Sequence, residues 1–305
     1  MKTLRTGIAA ALALIAASSA QSALRVVATT PEYGAIATVV GGVNVTVTTL
    51  AKPTEDPHFV DAKPSHIVTL NRADLLIEGG AELETGWLPP LLEGARNAKL
   101  ATGSPGHIRA SEGIQLLDVP AVLDRSQGDI HAAGNPHFMM DPENARVVAK
   151  HIAGAFCALD AGSCAAYKKN LDGFVASLDA KTAEWTAALA PFKGTPVVTY
   201  HPTWRYFANR FGLVSELYLE PKPGIPPSPP HLAEVMQKMN EQKIHVVLVE
   251  PFQSRKTAEA VAARTSATVV DVCQFPGGIP GTQSDYVALL DADVKAIVAG
   301  LKAAK

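Results

Sequence analysis

The stretch 165–189, AAYKKNLDGFVASLDAKTAEWTAAL, is the longest helical pattern in the chain. Tyr167, Leu171, Phe174, Leu178, Trp185 and Leu189 recur at helical spacing and form one apolar face, and Gly173 is the only internal glycine or proline. At 1.5 Å per residue such a helix is roughly 37 Å long, enough to run across a protein of two lobes. On its N-terminal side, strand-like runs at Leu24 to Thr29, Val43 to Leu50 and Ala73 to Ile77 alternate with helical patterns at Pro31 to Val40, Pro64 to Arg72 and Leu83 to Glu93. On its C-terminal side the alternation resumes. Strands are expected at Pro196 to Tyr200, Val214 to Leu219, Ile244 to Glu250 and Thr268 to Cys273, and helices at Trp204 to Phe211, Pro229 to Gln242, Lys256 to Thr265 and Tyr286 to Ala304. Alternating strands and helices predict an α/β fold with mostly parallel sheets covered by helices. The expected layout is an N-terminal lobe over 21–164, a connector helix over 165–190 and a C-terminal lobe over 191–305.

Residues 1–20 read as a cleaved signal peptide. Lys2 and Arg5 precede an apolar run from Gly7 to Ala17 that is too short to span a bilayer, and Ser18-Ser19-Ala20 supplies small residues for cleavage. No cysteine follows the apolar run, so the expectation is export to a bacterial periplasm without a lipid anchor. Removal of the leader leaves about 285 residues, enough for two separate cores. A net charge of −2 offers no basic field for nucleic acid. Cys157 and Cys164 flank the turn-like stretch from Asp160 to Ser163, and a disulfide there suits an oxidising compartment. Cys273 is then the odd thiol.

Three histidines carry the chemistry: His58 in Asp56-Pro57-His58-Phe59, His137 in Asn135-Pro136-His137-Phe138, and His201 in Tyr200-His201-Pro202. Proline beside each one stiffens the turn, and rigid neutral imidazoles suit zinc and its first-row neighbours. The spacings of 79 and 64 residues exclude a zinc finger, so the rings must converge through tertiary folding. His66, His151, His231 and His245 lie in predicted helices or at a strand start and read as structural or solvated, and His107 lies in a turn-rich stretch with no supporting partner. His131, six residues before His137, reads as solvent-exposed, with transient metal capture as the alternative.

Three imidazoles leave a tetrahedral ion one donor short. Asp271 and Cys273, two apart on one predicted strand, are candidates that would share a face. Glu220 and Glu250 could supply a carboxylate, or could instead accept the outer N–H of an imidazole. Water is the remaining choice. Six prolines from Pro221 to Pro230 predict a stiff loop lining the cleft rather than a polyproline ligand.

Taken in order, Val26 to Pro31, Asp56-Pro57-His58, Asn71 to Gly79, Asn135-Pro136-His137 with Asp141-Pro142, Tyr200-His201 and Val249-Glu250-Pro251-Phe252 resemble the zinc- and manganese-type solute-binding proteins of bacterial ABC importers. The resemblance covers essentially the whole mature chain. It implies two α/β lobes joined by a rigid helix, with a metal between them, delivered to a membrane permease by a monomer that performs no bond chemistry. It carries metal-ligand roles to His58, His137 and His201. Histidine at the third position resembles the zinc-type members, which makes Zn2+ the expected ion ahead of Mn2+ or Fe2+. The family's fourth, acidic ligand falls on Cys273, with Asp271 two residues earlier. Two other functions compete: a zinc hydrolase using a three-histidine site with Glu250 or Glu220 as base, and a surface adhesin or chaperone with structural metal. The chain has no H-E-x-x-H helix, which counts against the first.

Overall fold

The computed structural model describes residues 22–122, 128, 131–283 and 285–304. The expected leader, Met1 to Ala20, and Asp129 beside His131 lie outside the described residues. The N-terminal lobe runs β1 (Leu24–Ala28), α1 (Pro31–Gly41), β2 (Val45–Thr49), α2 (Pro64–Arg72), β3 (Leu75–Glu78), α3 (Leu88–Ala95) and β4 (His107–Arg109). Its four strands are parallel in the order β2-β1-β3-β4, with Val26 opposite both Val47 and Leu75. Two helices follow, α4 (Pro142–Leu159) and α5 (Cys164–Leu189). The C-terminal lobe runs β5 (Pro196–Thr199), α6 (Arg205–Phe211), β6 (Val214–Tyr218), α7 (Pro229–Gln242), β7 (Val246–Val249), α8 (Arg255–Thr265), β8 (Thr268–Asp271) and α9 (Tyr286–Ala303). Its strands are again parallel, in the equivalent order β6-β5-β7-β8. The two-lobe α/β reading and the connector helix are borne out.

Local chemistry sets the boundaries. Proline occupies the first turn of α1, α2, α4 and α7, where its missing N–H costs nothing. Asp141, Ser228, Ser254 and Asp285 accept backbone N–H groups at the starts of α4, α7, α8 and α9. Besides shifts of one or two residues at other ends, three differences from expectation stand out. Helix α3 starts at Leu88 rather than Leu83, so Pro89 and Pro90 lie in its first turn and start it instead of perturbing it. His107 is not in a turn but begins the short edge strand β4. Strand β8 stops at Asp271, opposite Val249, two residues before Cys273.

Helix α5 ties the lobes together. Tyr167, Phe174, Leu178, Trp185 and Leu189 are buried in one continuous apolar core that also takes in Val26 and Leu75 of the first sheet and Val246 and Val270 of the second. Near its start Asn170 Nδ2 donates to Val40 O of α1 at 3.1 Å, and near its end Trp185 Nε1 donates to Asp291 Oδ1 of α9 at 3.1 Å. A single helix of 26 residues packed on both lobes has few places to bend.

Cys157 and Cys164 are bridged and staple the α4–α5 corner. With a sequence separation of only seven, the bridge closes a small loop and should contribute about 2 kcal/mol by restricting the unfolded chain. Cys157→Ser with Cys164→Ser is therefore expected to lower the guanidinium unfolding free energy by about that amount. A change near zero in equilibrium denaturation would contradict this.

Candidate metal site

Both sheets put their carboxyl ends at the interlobe cleft, where open α/β sheets bind ligands. His58 sits in the loop after β2. Asp56 Oδ1 accepts both its backbone N–H, at 3.0 Å, and its ring Nδ1–H, at 2.9 Å. The turn is pinned by Trp87, whose indole donates to Pro57 O at 2.9 Å. His137 precedes α4. Asn135 Oδ1 accepts its N–H at 3.0 Å, while Asn135 Nδ2 reaches across the cleft to Pro202 O at 2.9 Å. His201 lies two residues past the end of β5, with its carbonyl held by Thr199 Oγ1 at 2.8 Å.

The three rings converge. Their centroids are 5.1–5.3 Å apart, and each offers a nitrogen within 4.8 Å of the other two. Among the described residues no other histidine, cysteine or acid joins that group. The outer nitrogens explain the orientation. His58 Nδ1 meets Asp56, His137 Nδ1 meets Gln274 Oε1 at 3.1 Å, and His201 Nδ1 meets Glu220 Oε2 at 2.8 Å. All three partners are acceptors, so the network assigns the proton to Nδ1 in each ring. Every Nε2 then presents a lone pair inwards. His137 Nε2 and His201 Nε2 lie 3.2 Å apart. Two neutral Nδ1–H imidazoles cannot hydrogen-bond through those atoms, and a cation between them removes the conflict.

Burial holds the His137 imidazole well below its ordinary pKa, with the neighbouring rings of His201 and His58 acting in the same direction. A charged His137 is therefore disfavoured, which suits a donor that must be neutral. Burial alone would raise the Asp56 carboxyl, but its bonds to His58 outweigh that and hold it low. Asp56 remains an ionised acceptor.

The other candidates lie elsewhere. Asp271 is exposed and ion-paired with Arg255. Cys273 is fully buried against Phe275 and Leu289, with Sγ 3.7 Å from Pro53 O. The two do not share a face, because the strand ends at Asp271 and the alternation ends with it. Burial, followed by the nearby Glu250, pushes the Cys273 thiol well above its ordinary value, so it stays protonated. Among the described residues Glu250 forms no hydrogen bond to a histidine. Its carboxyl accepts from Gln274 N at 3.2 Å and Gln253 Nε2 at 3.0 Å, and burial raises it to about 8. It props Gln274, which in turn holds His137. His131 is not in open solvent. It is partly buried, with its ring 5.3 Å from that of His58, because the turn that follows it is tied to the lobe. Pro223 and Gly224 of the proline-rich loop line the cleft. Sequence reasoning missed Asp56, Gln274 and the packing of His131. The Asp-x-His spacing signals the first, since an aspartate two residues ahead can accept that backbone N–H. Nothing local signals Gln274.

The sequence profile of the family described as "ZnuA: Zinc-uptake complex component A periplasmic" matches residues 26–300. The chain belongs to this family. The crystal structure of a ZnuA superposes with a TM-score of 0.78 at 25% identity, covering 92% of this chain and 99% of that one. The manganese ABC transporter substrate-binding lipoprotein PsaA of Streptococcus anginosus is 24% identical over 251 residues, 81% of this chain and 78% of PsaA. The iron ABC transporter substrate-binding lipoprotein MtsA of Streptococcus pyogenes serotype M1 is 24% identical over 245 residues, 78% of this chain and 76% of MtsA. As a ZnuA-family chain, the protein is the extracytoplasmic metal-binding component of an ABC importer, a binding protein rather than an enzyme. The hydrolase alternative falls with that assignment.

The tautomers are directly measurable. In 15N-resolved NMR of the metal-free protein at pH 7.5, His58, His137 and His201 should all appear as Nδ1–H imidazoles. An Nε2–H signature for His201 would contradict the orienting role given to Glu220.

Proposed function

We propose that the protein binds one Zn2+ through Nε2 of His58, His137 and His201 and delivers it to an ABC permease in the bacterial envelope. The observation that carries this reading is the pairing of three inward lone pairs with three outward acceptors. Neutral imidazole suits zinc, whereas manganese prefers carboxylate and water oxygen. The convergent group contains no carboxylate, which favours zinc over the manganese and iron named for PsaA and MtsA. Asp56, Gln274 and Glu220 act as the outer partners that fix ring orientation.

The chain acts as a monomer whose leader is cleaved on export. PsaA and MtsA are named as lipoproteins, but the first cysteine here is Cys157, already used in the α4–α5 bridge. Release occurs at the cleft loops, because α5 and its shared core resist a wide opening of the lobes.

Competition titration with a chromophoric chelator tests the reading. One tight zinc per mature chain is expected, and replacing any of the three histidines by alanine should weaken binding by at least about 100-fold, more than loss of an outer partner causes. Manganese should not displace zinc at equal concentration. Preferential manganese retention would sink the zinc assignment, and no tight divalent-metal binding would sink the whole reading. Protons compete for the same lone pairs, so apparent zinc affinity should fall as pH drops below the histidine range. Because burial lowers the His137 pKa, that ring should yield to protons only at a pH below its ordinary value.

A further inference from the structure

We propose that His131 supplies the fourth nitrogen of the site, giving this chain a four-imidazole centre; this rests on the metal-site reading of the cleft. His131 Nε2 lies 3.3 Å from His58 Nε2, and His137 Nε2 lies 3.2 Å from His201 Nε2. Nitrogens bound tetrahedrally to zinc at 2.0–2.1 Å are about 3.3 Å apart along each edge of the tetrahedron. Two such edges are therefore already drawn, one between His131 and His58 and one between His137 and His201. With His58 protonated on Nδ1 by its bond to Asp56, its Nε2 lone pair faces His131. His131 is not among the donors that all lie within 4.8 Å of one another, so its ring must move closer to His137 and His201 to take the fourth vertex.

The competing donors are engaged elsewhere. Asp56 and Glu220 each hold an outer ring nitrogen, and Glu220 also accepts from Gly224 N at 3.2 Å. Gln274 Oε1 is used by His137, Glu250 is turned to Gln253 and Gln274, Asp271 is paired with Arg255, and Cys273 is enclosed. His131 is also anchored. Its carbonyl accepts from Gly134 N at 3.1 Å, the adjacent Ala132 N–H binds the Glu82 carboxylate, and Asn135 N donates to Leu117 O at 2.8 Å. Gly134 adopts φ +116°, a conformation that glycine permits, and an added Cβ would sit 2.7 Å from Leu117 O. The turn thus presents His131 at the mouth of the cleft beside His137 and His201.

The experiment compares the mature wild type with His131→Ala, His131→Asn and Asp271→Ala, loaded separately with Zn2+ and with Co2+ as a visible probe. Four nitrogens around Co2+ give the intense visible absorption of a four-coordinate ion. His131→Ala and His131→Asn should each lower zinc affinity by at least about tenfold, as loss of even an outer partner of a ligand does. They should also replace the cobalt band by the weak absorption of a water-expanded site, while thermal unfolding of the metal-free protein stays unchanged. Asp271→Ala, at an exposed residue paired with Arg255, should keep the four-coordinate cobalt band. Wild-type affinity and spectrum in both His131 variants would overturn the proposal while leaving the three-histidine site intact. So would loss of the band in Asp271→Ala alone. Failure of the wild type to bind zinc would overturn both readings together.

Discussion

An imidazole can coordinate an ion only with a nitrogen that carries no proton, and the site depends on keeping that nitrogen pointed inwards. Asp56, Gln274 and Glu220 do this from outside the ring of histidines. Each accepts one N–H, and each thereby fixes both the tautomer and the ring plane. The rest of the molecule can be traced outward from these three bonds. Glu250, buried and raised to about 8, holds the backbone of Gln274. Trp87 holds the Pro57 carbonyl next to His58. The parallel sheets deliver these loops to one cleft because their carboxyl ends face it.

The fold was legible because its signals are local. The apolar face of 165–189 and the short β-branched runs on either side determine helix, strands and parallel pairing without long-range information. The boundaries that moved are those where one residue outweighs the pattern. Pro89 and Pro90 start α3, and β4 is three residues long, too short to show a period. The convergent histidines were legible for a similar reason, since proline beside each one marks a stiff turn.

The surroundings of those histidines were less legible. Placing Asp271 and Cys273 on one face carried strand alternation two residues past the last ladder pair, Val249 with Asp271. Once the ladder ends, the chain is free to turn, and Asp271 goes to solvent while Cys273 goes inside. His131 lies in a polar stretch without periodicity. Its position depends on Glu82, which lies fifty residues before the Ala132 it binds, and on Leu117, neither of which is a sequence neighbour. Gln274 is unremarkable as a sequence letter and gains its role only when β8 and the loop before α4 meet across the cleft.

Several of these bonds cross between lobes and involve no ion. Gln274 reaches His137, Asn135 reaches Pro202, and the Tyr206 hydroxyl both donates to Asn135 O at 2.7 Å and accepts from Leu117 N at 2.8 Å. On the proposed reading the latch is made by protein atoms alone, and a cage held in this way lets capture carry almost no conformational tax. Selectivity and throughput then shift to the exit side. An ion that finds a ready-made cage arrives quickly, and how long it stays depends on how readily another molecule can unfasten the latch.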